Sequence, residues 1–117
     1  MGPASLGATM RTVTAVLCAL AAAGAARAQG VDAAAAEALM KKSNCFKCHS
    51  VTKKKDGPAY QDVAAKYKGR ADAEATLVAH LTTRPKIKID GNEEPHDSLN
   101  TKNDAEIRGV VTWILTR

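Results

Sequence analysis

Five consecutive residues, Cys45-Phe46-Lys47-Cys48-His49, constrain this 117-residue chain more than anything else in it. C-x-x-C-H is the spacing at which c-type haem is attached. Two thiols three positions apart, on the last turn of a helix and the turn after it, can each add to one vinyl group of the same porphyrin. The adjacent imidazole is then carried under the iron as its proximal ligand. A chain built on this motif has to fold around a large, flat, apolar body. Two other readings of the cysteine pair do not suit the remaining residues. A thioredoxin-like dithiol follows a strand in a βαβ unit, and no segment before the cysteine pair alternates as a half-buried strand does. A zinc site needs two more ligands at short spacing, whereas His80 and His96 are isolated and the third cysteine, Cys18, lies in a segment expected to be removed.

That segment is residues 1–28. Val13 to Ala26 form an Ala-rich apolar run too short to span a bilayer, with Arg11 before it and Ala26-Arg27-Ala28, an A-x-A cleavage pattern, after it. It reads as a secretory signal peptide cut before Gln29, with an uncleaved anchor as the alternative. Leu17 stands where a lipoprotein signal would have a small residue before Cys18, so Cys18 is read as an apolar leader residue. Residues 29–117 then form one domain, close to the lower size at which a polypeptide core suffices unaided. Phe46, Tyr60, Tyr67 and Trp113 are its only aromatics. A buried porphyrin would supply the missing apolar bulk. The formal charge of +5 becomes +3 once Arg11 and Arg27 leave, and two haem propionates lower it further. Neither that modest basicity nor the sparse aromatics make a nucleic-acid surface. No nucleic acid partner and no membrane span in the mature chain are expected.

Hydrophobic spacing predicts four short helices. Asp32 is a candidate N-cap for a helix with Ala36, Leu39, Met40 and Ser43 on one face, stopping at Asn44, with Lys41 and Lys42 in its last turn. After the turn signal Asp56-Gly57-Pro58, residues Tyr60, Val63, Ala64 and Tyr67 give a second, ended by Gly69. Asp72 is placed to cap a third, carrying Ala73, Leu77, Val78 and Leu81 and closing before Arg84-Pro85; His80 falls off that face and is expected in solvent. Asn103 and Glu106 form a capping-box pair opening a final helix that buries Ile107, Val110, Val111, Ile114 and Leu115, with Trp113 beside that face. Between Thr83 and Lys102 no helical period exists. Ile87 and Ile89 alternate with Lys86, Lys88 and Asp90 but have no partner strand in sight, so the stretch is read as an extended loop with its isoleucines turned inward. A loop of that length in a small domain is usually functional.

With Cys45-Phe46-Lys47-Cys48-His49, Gly57-Pro58-Ala59-Tyr60, Asp62-Val63-Ala64-Ala65-Lys66-Tyr67 and Trp113-Ile114-Leu115 in place, the mature chain resembles a small bacterial monohaem class I cytochrome c over nearly its whole length. The resemblance implies an all-α fold of four short helices wrapped around one covalent haem c, the first and last helices crossing. It also implies export to the periplasm, where covalent haem ligation takes place in bacteria. Cys45 and Cys48 would hold the haem and His49 would ligate its iron. The Pro58 carbonyl resembles the family's acceptor for the His49 Nδ1–H, a bond that fixes ring orientation and donor strength; turn punctuation is the plainer reading of Pro58. Trp113 matches a family tryptophan whose indole N–H reaches a propionate, with core packing as the compatible alternative.

One departure from the family alters the expected chemistry. The usual distal ligand is a methionine before the last helix, and no methionine is there. Met1 and Met10 leave with the leader, and Met40 lies on the first helix. Glu94-Pro95-His96-Asp97 occupies the family's Pro-Met segment, so His96 is expected as the sixth ligand. The alternatives are an exposed His96 with the iron five-coordinate, or ligation by Lys86, Lys88, Asn100 or Lys102. The expected function is electron transfer through a bis-histidine, low-potential haem, without enzymatic turnover, because no acid–base or nucleophilic constellation accompanies the motif. A gas-binding haem protein with a displaceable His96, or a haem subunit of a periplasmic dehydrogenase, is the alternative. Lys41, Lys42, Lys47, Lys53, Lys54 and Lys55 cluster around the motif, which suits a redox partner protein with an acidic docking surface.

Overall fold

The computed structural model describes Gly2 and residues 32–117; the expected signal peptide and its cleavage site lie outside the described residues, apart from Gly2. Among the described residues, five helices and one hairpin follow in the order α1 (Ala33–Lys42), α2 (Cys45–Cys48), α3 (Tyr60–Tyr67), α4 (Ala73–Thr82), β1 (Lys86–Ile89), β2 (Asn92–Pro95) and α5 (Asp104–Leu115). The fold is predominantly helical, as expected, but with one helix more than the spacing predicted and a two-stranded sheet besides.

α1 begins where Asp32 accepts from the Ala35 N–H at 3.0 Å. It ends at Ser43, and Asn44 follows in the left-handed region at φ 61°. That single left-handed residue breaks the chain direction, so the two cysteines occupy their own turn, α2, rather than the last turn of α1. Met40 is fully buried among α5 residues Val110, Val111 and Ile114, and this crossing of α1 with α5 is the centre of the core. α3 and α4 pack on α5 as well, through Tyr60, Leu77 and Leu81.

Two caps differ from expectation. Asp72 makes no side-chain cap to α4; its carboxylate is taken by the Arg70 guanidinium at 2.7 and 3.0 Å. At α5, Asn103 accepts from the Ala105 and Glu106 N–H groups at 2.9 and 3.2 Å. Glu106 does not complete the box, because it accepts from the Thr101 hydroxyl, and that oxygen in turn receives the Asn103 N–H.

The segment read as an extended loop is a hairpin. β1 pairs with β2 antiparallel, Ile87 opposite Glu94 and Ile89 opposite Asn92. Asp90 and Gly91 turn the corner with φ of 49° and 83°, and two successive positive φ values are what a two-residue type I′ turn requires. The partner strand was missed because Asn92-Glu93-Glu94-Pro95 has no apolar residue, and all four are exposed. The inward turn of Ile87 and Ile89 was anticipated correctly.

Candidate functional site

A cleft of about 270 Å³ opens between the α2 turn, α4 and the hairpin, and it gathers the motif residues. Cys45, Cys48 and His49 line one side; Leu77, His80 and Leu81 of α4 line another; Ile87, Ile89 and Pro95 to Asp97 close the third. The two cysteines are not bridged to each other. Burial pushes the Cys45 thiol up.

His49 is held from three directions. Its Nδ1 lies 2.7 Å from the Pro58 carbonyl oxygen, which makes Nδ1 the donor and leaves Nε2 free to ligate. Tyr60 stacks on the ring at 4.9 Å, only 22° from parallel. Gly57 backs it so closely that a Cβ there would lie 2.8 Å from Nδ1 and 2.9 Å from Nε2. The Gly57 N–H donates to the Cys48 carbonyl at 2.8 Å, which locks this backbone against the motif. Burial pushes the imidazole pKa down despite the opposing Pro58 hydrogen bond, favouring the neutral, ligand-competent form. Burial likewise raises the Tyr60 hydroxyl, aided by the neighbouring Cys45, and keeps it protonated.

His96 faces His49 across the cleft with ring centres 6.2 Å apart and planes tilted by 51°. An imidazole nitrogen sits about 2 Å from a bound metal, and roughly 1.1 Å separates that nitrogen from the ring centre. Two imidazoles on opposite sides of one ion therefore stand about 6.2 Å apart. The ring-centre spacing of the pair equals that distance. His96 Nδ1 is buried without a hydrogen-bond partner, so no competing bond holds this ring away from an ion in the gap. The backbone around it is tied down, with the His96 N–H donating to Pro85 O at 2.8 Å and the Leu99 N–H to Leu81 O at 3.0 Å. Two thiols beside two facing imidazoles in an apolar cleft form a donor set suited to a covalent iron porphyrin.

Trp113 packs in the core, the compatible alternative expected for it. It is 2 % exposed and does not line the cleft. Its indole N–H donates to Glu37 on α1 at 3.3 Å, while its ring meets Tyr60 and Phe46 edge-on at 5.4 and 6.2 Å. The crossing of α1 over α5 turns the indole N–H toward Glu37 of α1. Met40 is also absent from the cleft lining. His80, expected in solvent, is half-buried in the cleft with its ring centre 4.3 Å from that of His96. The overlooked signal was the i, i+3, i+4 spacing of Leu77, His80 and Leu81, which places all three on one side of α4.

The family model described as Cytochrome c matches residues 33–117. Cytochrome c-551 of Pseudomonas aeruginosa is 36% identical over 101 residues, covering 86% of this chain and 94% of its own. Cytochrome c-552 of Hydrogenobacter thermophilus is 41% identical over 84 residues, covering 68% and 79%. Among solved structures, the class 1 cytochrome MtoD of Sideroxydans lithotrophicus ES-1 superposes with a TM-score of 0.69 at 50% identity, over 73% of this chain and 95% of that one. Wild-type cytochrome c552 of Nitrosomonas europaea gives a TM-score of 0.54 at 34% identity, over 68% and 96%.

Proposed function

The chain belongs to the cytochrome c family, as a small monohaem class I electron-transfer protein with one covalent c-type haem, and from that premise we propose that it is a bis-histidine, low-potential carrier. In this reading Cys45 and Cys48 would hold the haem through thioethers, and His49 and His96 would ligate its iron. The observation that carries it is the 6.2 Å spacing of the two facing imidazoles.

The bound haem supplies a one-electron iron couple. The protein's own part is to hold two neutral imidazoles at fixed separation, so that little has to move when the oxidation state changes. His49 is oriented by Pro58 and backed by Gly57 and Tyr60. His96 is presented by a hydrogen-bonded hairpin, and the apolar side chains of Leu77, Leu81, Ile87 and Ile89 exclude water between them. A methionine axial ligand raises the haem potential. With His96 ligating in its place, the ferric form would be favoured and the potential lowered. The backbone hydrogen bonds around His96 favour a permanent ligand over a displaceable one, and hence a carrier over a gas sensor. A chain with this site moves electrons without transforming a substrate.

Ferric and ferrous optical spectra with ferric EPR, each with and without CO, test the ligation. The wild type is expected to be low-spin and slow to bind CO, and His96→Ala to become high-spin and to bind CO rapidly. High-spin iron or a sulfur-to-iron charge-transfer band in the wild type overturns the assignment.

The protein is further assigned to the periplasm, by the leader pattern of residues 1–28 and by the site of covalent haem attachment in bacteria. No described helix is long and apolar enough to cross a membrane. Its partner is a redox protein with an acidic docking face. Lys41, Lys42, Lys47, Lys53, Lys54 and Lys55 are all exposed around the motif, and Lys55 also donates to the Phe46 carbonyl at 2.8 Å. Reversing charge at Lys53 and Lys54 is expected to slow electron transfer to the partner at low salt, the difference fading as salt screens it. Equal rates at low ionic strength would remove the patch from the mechanism.

A further inference from the structure

The two facing histidines are restrained unequally. The plane of His49 is set by a hydrogen bond from Nδ1 to Pro58 and by a parallel Tyr60 ring. His96 has no such bond, since its Nδ1 is buried and unpaired. An axial imidazole without a hydrogen bond can turn about its bond to the metal, and only lateral packing resists that rotation. An aromatic ring for that packing is supplied by His80, which meets His96 edge-on at 4.3 Å and 60°. His80 itself sits on a firm base: it lies on α4 between Leu77 and Leu81, which are 6 % and 7 % exposed in the core.

We propose that His80 is a positioning residue that fixes the ring plane of His96, and with it the 51° tilt between the two axial imidazoles. The inference rests on the His49 and His96 ligation proposed above. The relative orientation of two axial imidazoles governs how the iron d orbitals split, and so determines the g values of the low-spin ferric ion. His80 thereby tunes the electronic state of the centre without touching it. The contact is one of shape, so another flat ring on the same backbone can replace it and a small side chain cannot.

Ferric EPR of the holoprotein, comparing wild type, His80→Ala and His80→Phe, tests this. The wild type is expected to give one narrow low-spin signal. His80→Ala stays low-spin but its largest g value shifts and its lines broaden, because the freed ring samples several orientations. His80→Phe, which restores an aromatic edge, returns toward the wild-type signal. Superimposable wild-type and His80→Ala spectra overturn the proposal, as does a His80→Phe spectrum no nearer to wild type than that of His80→Ala. A high-spin or sulfur-ligated wild type overturns the axial assignment and the role of His80 with it. A low-spin bis-imidazole wild type whose signal ignores His80 overturns the role alone.

Discussion

Gly57 shows how little space surrounds the proximal imidazole. A methyl group there meets Nδ1, Nε2 and the carbon between them, all belonging to a ring that is anchored by Pro58 and cannot swing away. Overpacking of this kind costs about 1–3 kcal/mol. Gly57→Ala is therefore expected to lower the thermal midpoint and the yield of haem-loaded protein, and to disturb the Soret spectrum; an unchanged spectrum and yield would show that the ring has room. At this scale much was readable in advance. The motif, His49 with Pro58, and His96 in place of a methionine are all local in the chain. The partner of the Trp113 N–H and the packing of His80 were not, because each depends on a residue brought close by the fold: Glu37 is 76 positions from Trp113, and His96 lies 16 positions beyond His80.

The hairpin is the element that leads into His96, the proposed distal ligand, and by itself it would be marginal, as isolated two-stranded hairpins are. It is held by Ile87 and Ile89 against the cleft and by the Asp90-Gly91 corner. No heavy atom lies within 4 Å of where a Gly91 side chain would start, yet its φ is 83°. Gly91→Ala thus isolates backbone strain from steric clash, at about 1 kcal/mol. If that strain loosens the hairpin, His96 leaves the iron more often, and CO binding to the ferrous protein should accelerate by about five-fold for 1 kcal/mol. An unaltered CO rate would mean that the hairpin opens independently of His96. The Asp-Gly pair was a legible hairpin signal. It was outweighed by an all-polar second strand, whose pairing partner is decided by the turn rather than by its own side chains.

Across the whole molecule, the crossing of α1 with α5 supports the site from outside it. Met40, Val110 and Val111 are at most 1 % exposed, and none of them lines the cleft. Met40→Ala should cost about 2–5 kcal/mol in unfolding free energy while leaving the low-spin spectrum of the folded protein intact. Denaturant unfolding followed at the haem band and by circular dichroism separates the two effects, and a change of ligation in the folded state would assign Met40 to the site after all. The amino-acid sequence alone determined the cofactor and the helical core and pointed to His49 and His96 as candidate ligands, because attachment spacing, 3.6-residue periodicity and the absence of a distal methionine are properties of the chain read in order. Only the tertiary structure decided that the rings of His49 and His96 come within 6.2 Å of each other, that Trp113 turns to Glu37, and that His80 packs edge-on against His96. Those outcomes follow from how α1, α4, α5 and the hairpin pack together, and a packing angle is recorded in no single segment.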